Sequence, residues 1–209
     1  VLSWASVRAQ SALDPLTLPP AYAPDVTSPV IDPVDELRGK ALLRAVRGGG
    51  YLLFMRHAHA GATLPACPDE ASLTPAGETQ ARAVGAAIVQ LKLPMLLVQS
   101  SQTCRSRDTA KLLGLGPVLE NPALNPGSIR GKPYDFAQKF SFLLQPPPQG
   151  GNLILVSHVH DAPTRQDRIL IDLAEVVVYR AQVGTRALPV ARITPGAWNA
   201  LLVADATPP

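Results

Sequence analysis

Charged and aromatic side chains are scarce in this chain: 17% of its 209 residues are Asp, Glu, Lys or Arg, and 5% are Phe, Trp or Tyr. With no block of Lys and Arg and so few rings, neither a basic nucleic-acid tract nor a stacking platform for single strands is expected. The formal charge of +3 comes from a shortage of acids rather than a cluster of bases, and such a mild positive field suits a small anionic substrate. Long hydrophobic runs are missing too. None approaches the roughly 18 apolar residues of a membrane span, so no transmembrane segment is expected and the chain reads as soluble or peripherally tethered. Cysteine is limited to Cys67 and Cys104. In an exported protein these two would form a disulfide; in a cytosolic one they would be a buried thiol and a loop thiol.

The 46% apolar content and the length suffice for one domain with a core. Proline is plentiful and unevenly placed, with six between Pro15 and Pro33, too many for a helix or central strand. The segment before it, Val1-Leu2-Ser3-Trp4-Ala5 with Ala9-Gln10-Ser11-Ala12, fits the end of a secretory signal as well as it fits a frayed terminus. Residues 1–33 are therefore expected to be a signal remnant and Pro-rich linker, and residues 34–205 the domain. The signal reading implies a periplasmic or secreted protein.

Along the domain, Pro33, Asp35 and Glu36 open a helix that Leu37, Leu42, Leu43 and Val46 continue until Gly48-Gly49-Gly50. A strand over Tyr51–Met55 follows, then a loop from Ala60 to Ser72. Thr74 as N-cap and Pro75 as first helical residue start a helix whose Ala81, Val84, Ile88 and Leu91 share one face. Pro94–Val98 reads as a strand, Ser100-Ser101 as the lead into a helix reaching about Leu113, and Pro133–Leu144 as another helix. Strands ending at Ser157, over Glu175–Arg180 and over Val190–Ile193, precede a last helix from Pro195 through Trp198. Strands alternating with helices at this spacing predict an α/β protein, a three-layer α/β/α sandwich without internal repeats.

All four histidines fall in two matching pairs, His57/His59 and His158/His160, each directly after an apolar run, Tyr51–Met55 or Leu153–Val156. Buried strands of an open α/β sheet present ligand sites at their carboxyl ends, so both pairs are candidate site residues. Arg56 precedes His57 where the chain turns, and its fork of donors matches phosphate oxygens. Arg105, in the turn from a strand into a helix, can join the same anion, because helix N-termini collect negative charge. His158 adds a third arm. Two arginines and two histidines converging are suited to caging a phosphoryl group in transfer.

Four segments in order, Arg56-His57-Ala58, Leu73-Thr74-Pro75-Ala76-Gly77, Ser100-Ser101-x-x-x-Arg105-x-x-x-Thr109-Ala110 and Val156-Ser157-His158, resemble the histidine phosphatase superfamily, the fold of the cofactor-dependent phosphoglycerate mutases. The resemblance implies that His57 is a nucleophile that becomes phosphorylated. It implies that Arg56, Arg105 and His158 hold the phosphoryl oxygens and that the Leu-Thr-x-x-Gly segment is structural; because the two arginines supply the positive charge a metal would provide, no metal or cofactor is expected. The substrate would be a small phosphorylated molecule. Ala58 and His59 stand where mutases usually carry Gly and an acidic residue, and Leu124-Asn125-Pro126 offers no carboxylate where the family's general acid commonly lies. The chain therefore resembles a compact phosphatase, and Ile193-Thr194-Pro195-x-x-Trp198 resembles the small periplasmic branch that includes lipopolysaccharide core heptose phosphatases.

A proton donor must then come from elsewhere: Asp161, three residues after His158, is the first candidate, with Glu120 and Asp135 as alternatives. His59 and His160 are expected at the pocket rim, Arg107 and Asp108 as a solvated pair, and Glu175 as a strand cap. Two rival readings stand beside the phosphatase. One is a metal-dependent hydrolase built on the two His-x-His pairs and Asp161, which leaves Arg56 and Arg105 unexplained. The other is a catalytically silent phosphate-binding domain.

Overall fold

The computed structural model describes residues 35–126, 146–158 and 171–207. Strand β1 (Tyr51–Arg56) lies inside a six-stranded sheet of order β5-β4-β6-β1-β7-β8. β4 (Met95–Ser100), β5 (Val118–Glu120) and β6 (Asn152–Ser157) run parallel to it, and β7 (Val176–Gln182) and β8 (Thr185–Ile193) add an antiparallel hairpin. The continuous apolar run of β1 reflects burial on both faces. Leu53 and Met55 join one core cluster, while Leu52 and Phe54 join the other, as the two-residue period of a strand requires.

The larger cluster receives Leu42, Leu43 and Val46 from α1 (Gly39–Arg47), Ala81, Val84 and Ile88 from α2 (Pro75–Gln90), Ala110 from α3 (Cys104–Leu112), and Trp198 and Leu201 from α4 (Ala197–Ala206). The smaller gathers Leu155, Val177 and Tyr179 with Leu124, which a short 3-10 turn over Pro122–Leu124 tucks inward. The architecture is the expected α/β sandwich on a largely parallel sheet; the helix expected over Pro133–Leu144 lies outside the described residues, as does the segment 1–33. No described helix is long and apolar enough to cross a membrane.

Helix α1 starts at Gly39, several residues after Pro33, and stops where the sequence predicts. Gly49 then takes a φ of +78°, and a side chain there would strike the backbone of Gly151. The real departure is the stretch read as a loop from Ala60 to Ser72. It forms an antiparallel hairpin, β2 (Ala60–Leu64) with β3 (Cys67–Leu73), separate from the main sheet. Its pairing is irregular and β2 is mostly exposed, so the clear alternation that marks a strand never appears in the sequence.

Candidate functional site

β1 and β6 are parallel neighbours in register, Arg56 opposite Ser157, so the chain leaves both strands at the same edge with His57 and His158 side by side. Their ring centroids lie 5.1 Å apart, tilted by 59°. The His57 backbone is held on both sides: its N–H donates to Ser157 O (2.9 Å) and its carbonyl accepts from Ala174 N (3.2 Å). The ring is oriented as well. Nδ1 lies 2.8 Å from the carbonyl of Ala58, which can only accept, so Nδ1 carries the proton and Nε2 keeps its lone pair. That Nε2 faces Arg105, whose Nε–H donates to it at 3.2 Å.

Burial pushes the His57 pKa down to about 4, against the hydrogen bond to Ala58, and the nearby charges of Arg105 and Arg56 push the same way. At neutral pH the imidazole is uncharged, with its nucleophilic nitrogen aimed at a guanidinium. Arg105 is lowered from its ordinary value chiefly by burial, with Glu70 opposing and Arg56 adding to the fall, yet an arginine stays charged. Arg56 is anchored by donating to Ile171 O (2.9 Å). Ile171 belongs to a turn that Glu175 closes by accepting from Asp172 N (2.7 Å) and by a two-pronged ion pair with Arg192 (2.6 and 2.7 Å). Glu175, expected as a strand cap, directly precedes β7 and is also a buried carboxylate whose cost is met by that pair.

His158 is 3% exposed and enclosed by hydroxyls: its Nε2 lies 2.8 Å from Ser101 Oγ and 3.2 Å from both Thr103 Oγ1 and Ser106 Oγ. A hydroxyl can donate or accept, so this cradle holds the ring in either protonation state. Thr109 completes the support, donating to Arg105 O (2.7 Å) while accepting from Ala58 N (3.0 Å), and so couples α3 to the loop after His57. The Leu-Thr-x-x-Gly segment does the same from α2. Thr74 caps the helix by accepting from Gly77 N (3.1 Å), and a side chain on Gly77 would collide with the His59 carbonyl, so α2 sits directly against the backbone of the loop after His57.

Arg56, His57, Arg105 and His158 are thus brought to one sheet edge. His59, expected at the rim, is exposed, with its Nδ1 2.9 Å from Thr74 Oγ1. Leu124-Asn125-Pro126 is structural: Leu124 is buried, and Asn125 Oδ1 accepts from Gln102 N (2.8 Å). Glu120 pairs with Arg107 (3.6 Å), so Arg107 is not simply a solvated partner of Asp108. Asp161, His160 and Asp135 lie outside the described residues. Among the described residues no group of three or more His, Cys, Asp and Glu comes together to hold a metal.

Cys67 and Cys104 form a disulfide between β3 and the first residue of α3. The sequence reading missed Glu70, which lies on the same hairpin and accepts from Cys104 N (2.8 Å), and it missed Ser106 and Thr103. The only signal for the hydroxyls was their density, three within the six residues 101–106 leading into a helix.

No family model and no curated protein matches the chain. Solved structures do. The chain is similar to the protein histidine phosphatase SixA complexed with tungstate, with a TM-score of 0.54 and 15% identity over 70% of this chain and 97% of that one. It is also similar to a phosphoserine phosphatase mutant from Entamoeba histolytica in complex with phosphoserine (0.47; 14%; 70% and 98%) and to Bacillus stearothermophilus YhfR (0.45; 16%; 67% and 95%). The chain shares the histidine phosphatase, phosphoglycerate mutase-like fold.

Proposed function

We propose that the protein is a phosphomonoester hydrolase acting through a phosphohistidine on His57. One observation carries this reading: the Nδ1–H of His57 is committed to the Ala58 carbonyl, which leaves a neutral Nε2 facing the Arg105 guanidinium. In the reaction the Nε2 lone pair attacks phosphorus in line as the ester P–O bond breaks, and the leaving oxygen departs with a proton from an acid. The ring becomes a cationic N-phosphoimidazole, and the Nδ1–H···O=C bond to Ala58 strengthens as that charge develops. Water then attacks phosphorus, the P–N bond breaks, and inorganic phosphate leaves with His57 restored. Arg56, Arg105 and His158 bind the phosphoryl oxygens and stabilise their charge in the transition state. Arg105 donates to the nucleophile itself, and substrate binding exchanges that bond for one to a phosphoryl oxygen.

Tungstate, bound by the similarly folded SixA, is an oxyanion like phosphate and supports this choice of ligand. We further propose that no metal takes part, because the two arginines supply the positive charge a metal would otherwise provide. The disulfide accords with an exported, periplasmic location. The decisive experiment is hydrolysis of 4-nitrophenyl phosphate with and without chelator, followed by mapping of a trapped, acid-labile and base-stable phosphoryl group. Turnover unaffected by chelator and a label on His57 are expected. Activity lost in chelator and restored by stoichiometric metal would transfer the case to the metal-dependent reading. Phosphate binding without turnover on any of a panel of phosphomonoesters would indicate the silent binding domain.

A further inference from the structure

We propose that Glu70 is a positioning residue of the phosphate cage that acts through Arg105 as its fixed counter-charge, limiting how tightly the cage holds phosphate; the inference rests on the function proposed above. The β2–β3 hairpin stands outside the main sheet, and a two-stranded hairpin with one exposed strand has little stability of its own. Two links from it converge on one residue. Cys67 is bridged to Cys104, and Glu70 Oε2 accepts from the Cys104 backbone N–H at 2.8 Å. Cys104 directly precedes Arg105, whose Nε lies 3.2 Å from the nucleophilic nitrogen of His57. The hairpin therefore delivers a carboxylate to the N-terminus of α3 and locks it there covalently.

Burial and the charge of Arg56 both disfavour a charged Arg105, and Glu70 is the group that favours it. The carboxylate also takes an α3 amide that would otherwise be available to an incoming anion. Since the arginine stays charged either way, what Glu70 adds at the cage is a negative charge that repels an anion and the loss of that amide, and both lower the affinity for phosphate, the product that must leave. An enzyme with two arginines on one small anion gains turnover when product release is not slow.

The test is calorimetric titration of inorganic phosphate into the wild type, Glu70→Gln and Glu70→Ala at one fixed ionic strength, with 4-nitrophenyl phosphate kinetics alongside. Gln keeps an acceptor for the Cys104 N–H and removes only the charge; Ala removes both. Both variants should bind phosphate more tightly, roughly tenfold for one nearby charge removed. KM and the product-inhibition constant should fall together, and Glu70→Gln should keep the wild-type melting temperature. Glu70→Gln binding phosphate equally or more weakly would overturn the inference while leaving the phosphatase reading intact. Failure of the wild type to bind phosphate at all would overturn both, and only that outcome touches the cage itself.

Discussion

The loop that carries Arg56 and His57 and the hairpin that follows it are adjacent in sequence, yet they are held in opposite ways. His57 and Ala58 are buried, with backbone bonds to Ser157, Ala174 and Thr109, so the sheet and α3 fix them from three sides. The hairpin from Ala60 to Leu73 exposes most of β2 and is tied to the site through Cys67 and Glu70, both ending on Cys104. The nitrogen proposed to react is thus placed by the core and the surrounding charge by a covalent strap. Damage to the first should abolish chemistry; damage to the second should retune it.

The largest expected effect is on the core side. His57→Ala should lose turnover by a factor on the order of 10³ or more, with no phosphoryl label and a wild-type fold by circular dichroism. A large residual activity in that variant would break the comparison at its root.

Next in size is the strap. The bridge spans 37 residues, and the chain-entropy estimate for a loop of that length is roughly 3 to 4 kcal/mol. Cys67→Ser with Cys104→Ser should lower unfolding stability by about that amount, measured by urea denaturation at pH 7. Phosphatase activity should survive at temperatures well below the lowered midpoint, because His57, Arg56 and His158 do not depend on the hairpin. Mass spectrometry under non-reducing conditions checks the bridge itself, and two free thiols would remove it along with the export argument.

The two regions also differ in how far the sequence reveals them. A buried strand ending in Arg-His is visible because burial on both faces demands an unbroken apolar run, as in Leu52-Leu53-Phe54-Met55. Thr74-Pro75 is visible because cap chemistry is local. The hairpin is not, since its stability comes from links to α3 rather than from its own pattern, and Gly61, Pro65 and Pro68 give it the composition of a loop. The same reason hides Glu70 and the hydroxyls around His158. Each acts across 34 to 57 residues of sequence, and only folding brings the partners together. Glu175 is a third case: its partner Arg192 lies on the neighbouring strand, so a carboxylate that looks like a strand end is a buried pair.

A smaller effect probes the burial of the loop that carries His57. His57 sits at about 4 when folded and near 6.5 when unfolded. Above pH 6.5 both states are neutral there. As pH falls from 6.5 toward 4 the unfolded chain takes up a proton that the folded site refuses, so stability falls by up to about 3 kcal/mol. His57→Gln lacks this proton, and its stability should drop less than that of the wild type over the same window. The acid limb of kcat/KM should likewise lie near pH 4 rather than 6.5. Parallel stability curves for the two proteins would mean that the ring is not buried as a neutral group.

The smallest effect concerns what neither region supplies. Among the described residues the core side offers no acid to the leaving group, and the hairpin's Glu70 already accepts the Cys104 N–H, while Glu120 faces Arg107. The candidate donor that the sequence offers is Asp161, three residues after His158 and outside the described residues. An alkoxide needs protonation as the P–O bond breaks, whereas a nitrophenolate barely does, so a donor can be recognised by which substrates miss it. Asp161→Asn should cut turnover of alkyl phosphates by about tenfold or more and leave 4-nitrophenyl phosphate nearly unchanged. Glu70→Gln should lack that substrate dependence, because a counter-charge acts on the phosphoryl group common to both. Equal losses on both substrate types in Asp161→Asn, or none on either, would remove Asp161 from the mechanism.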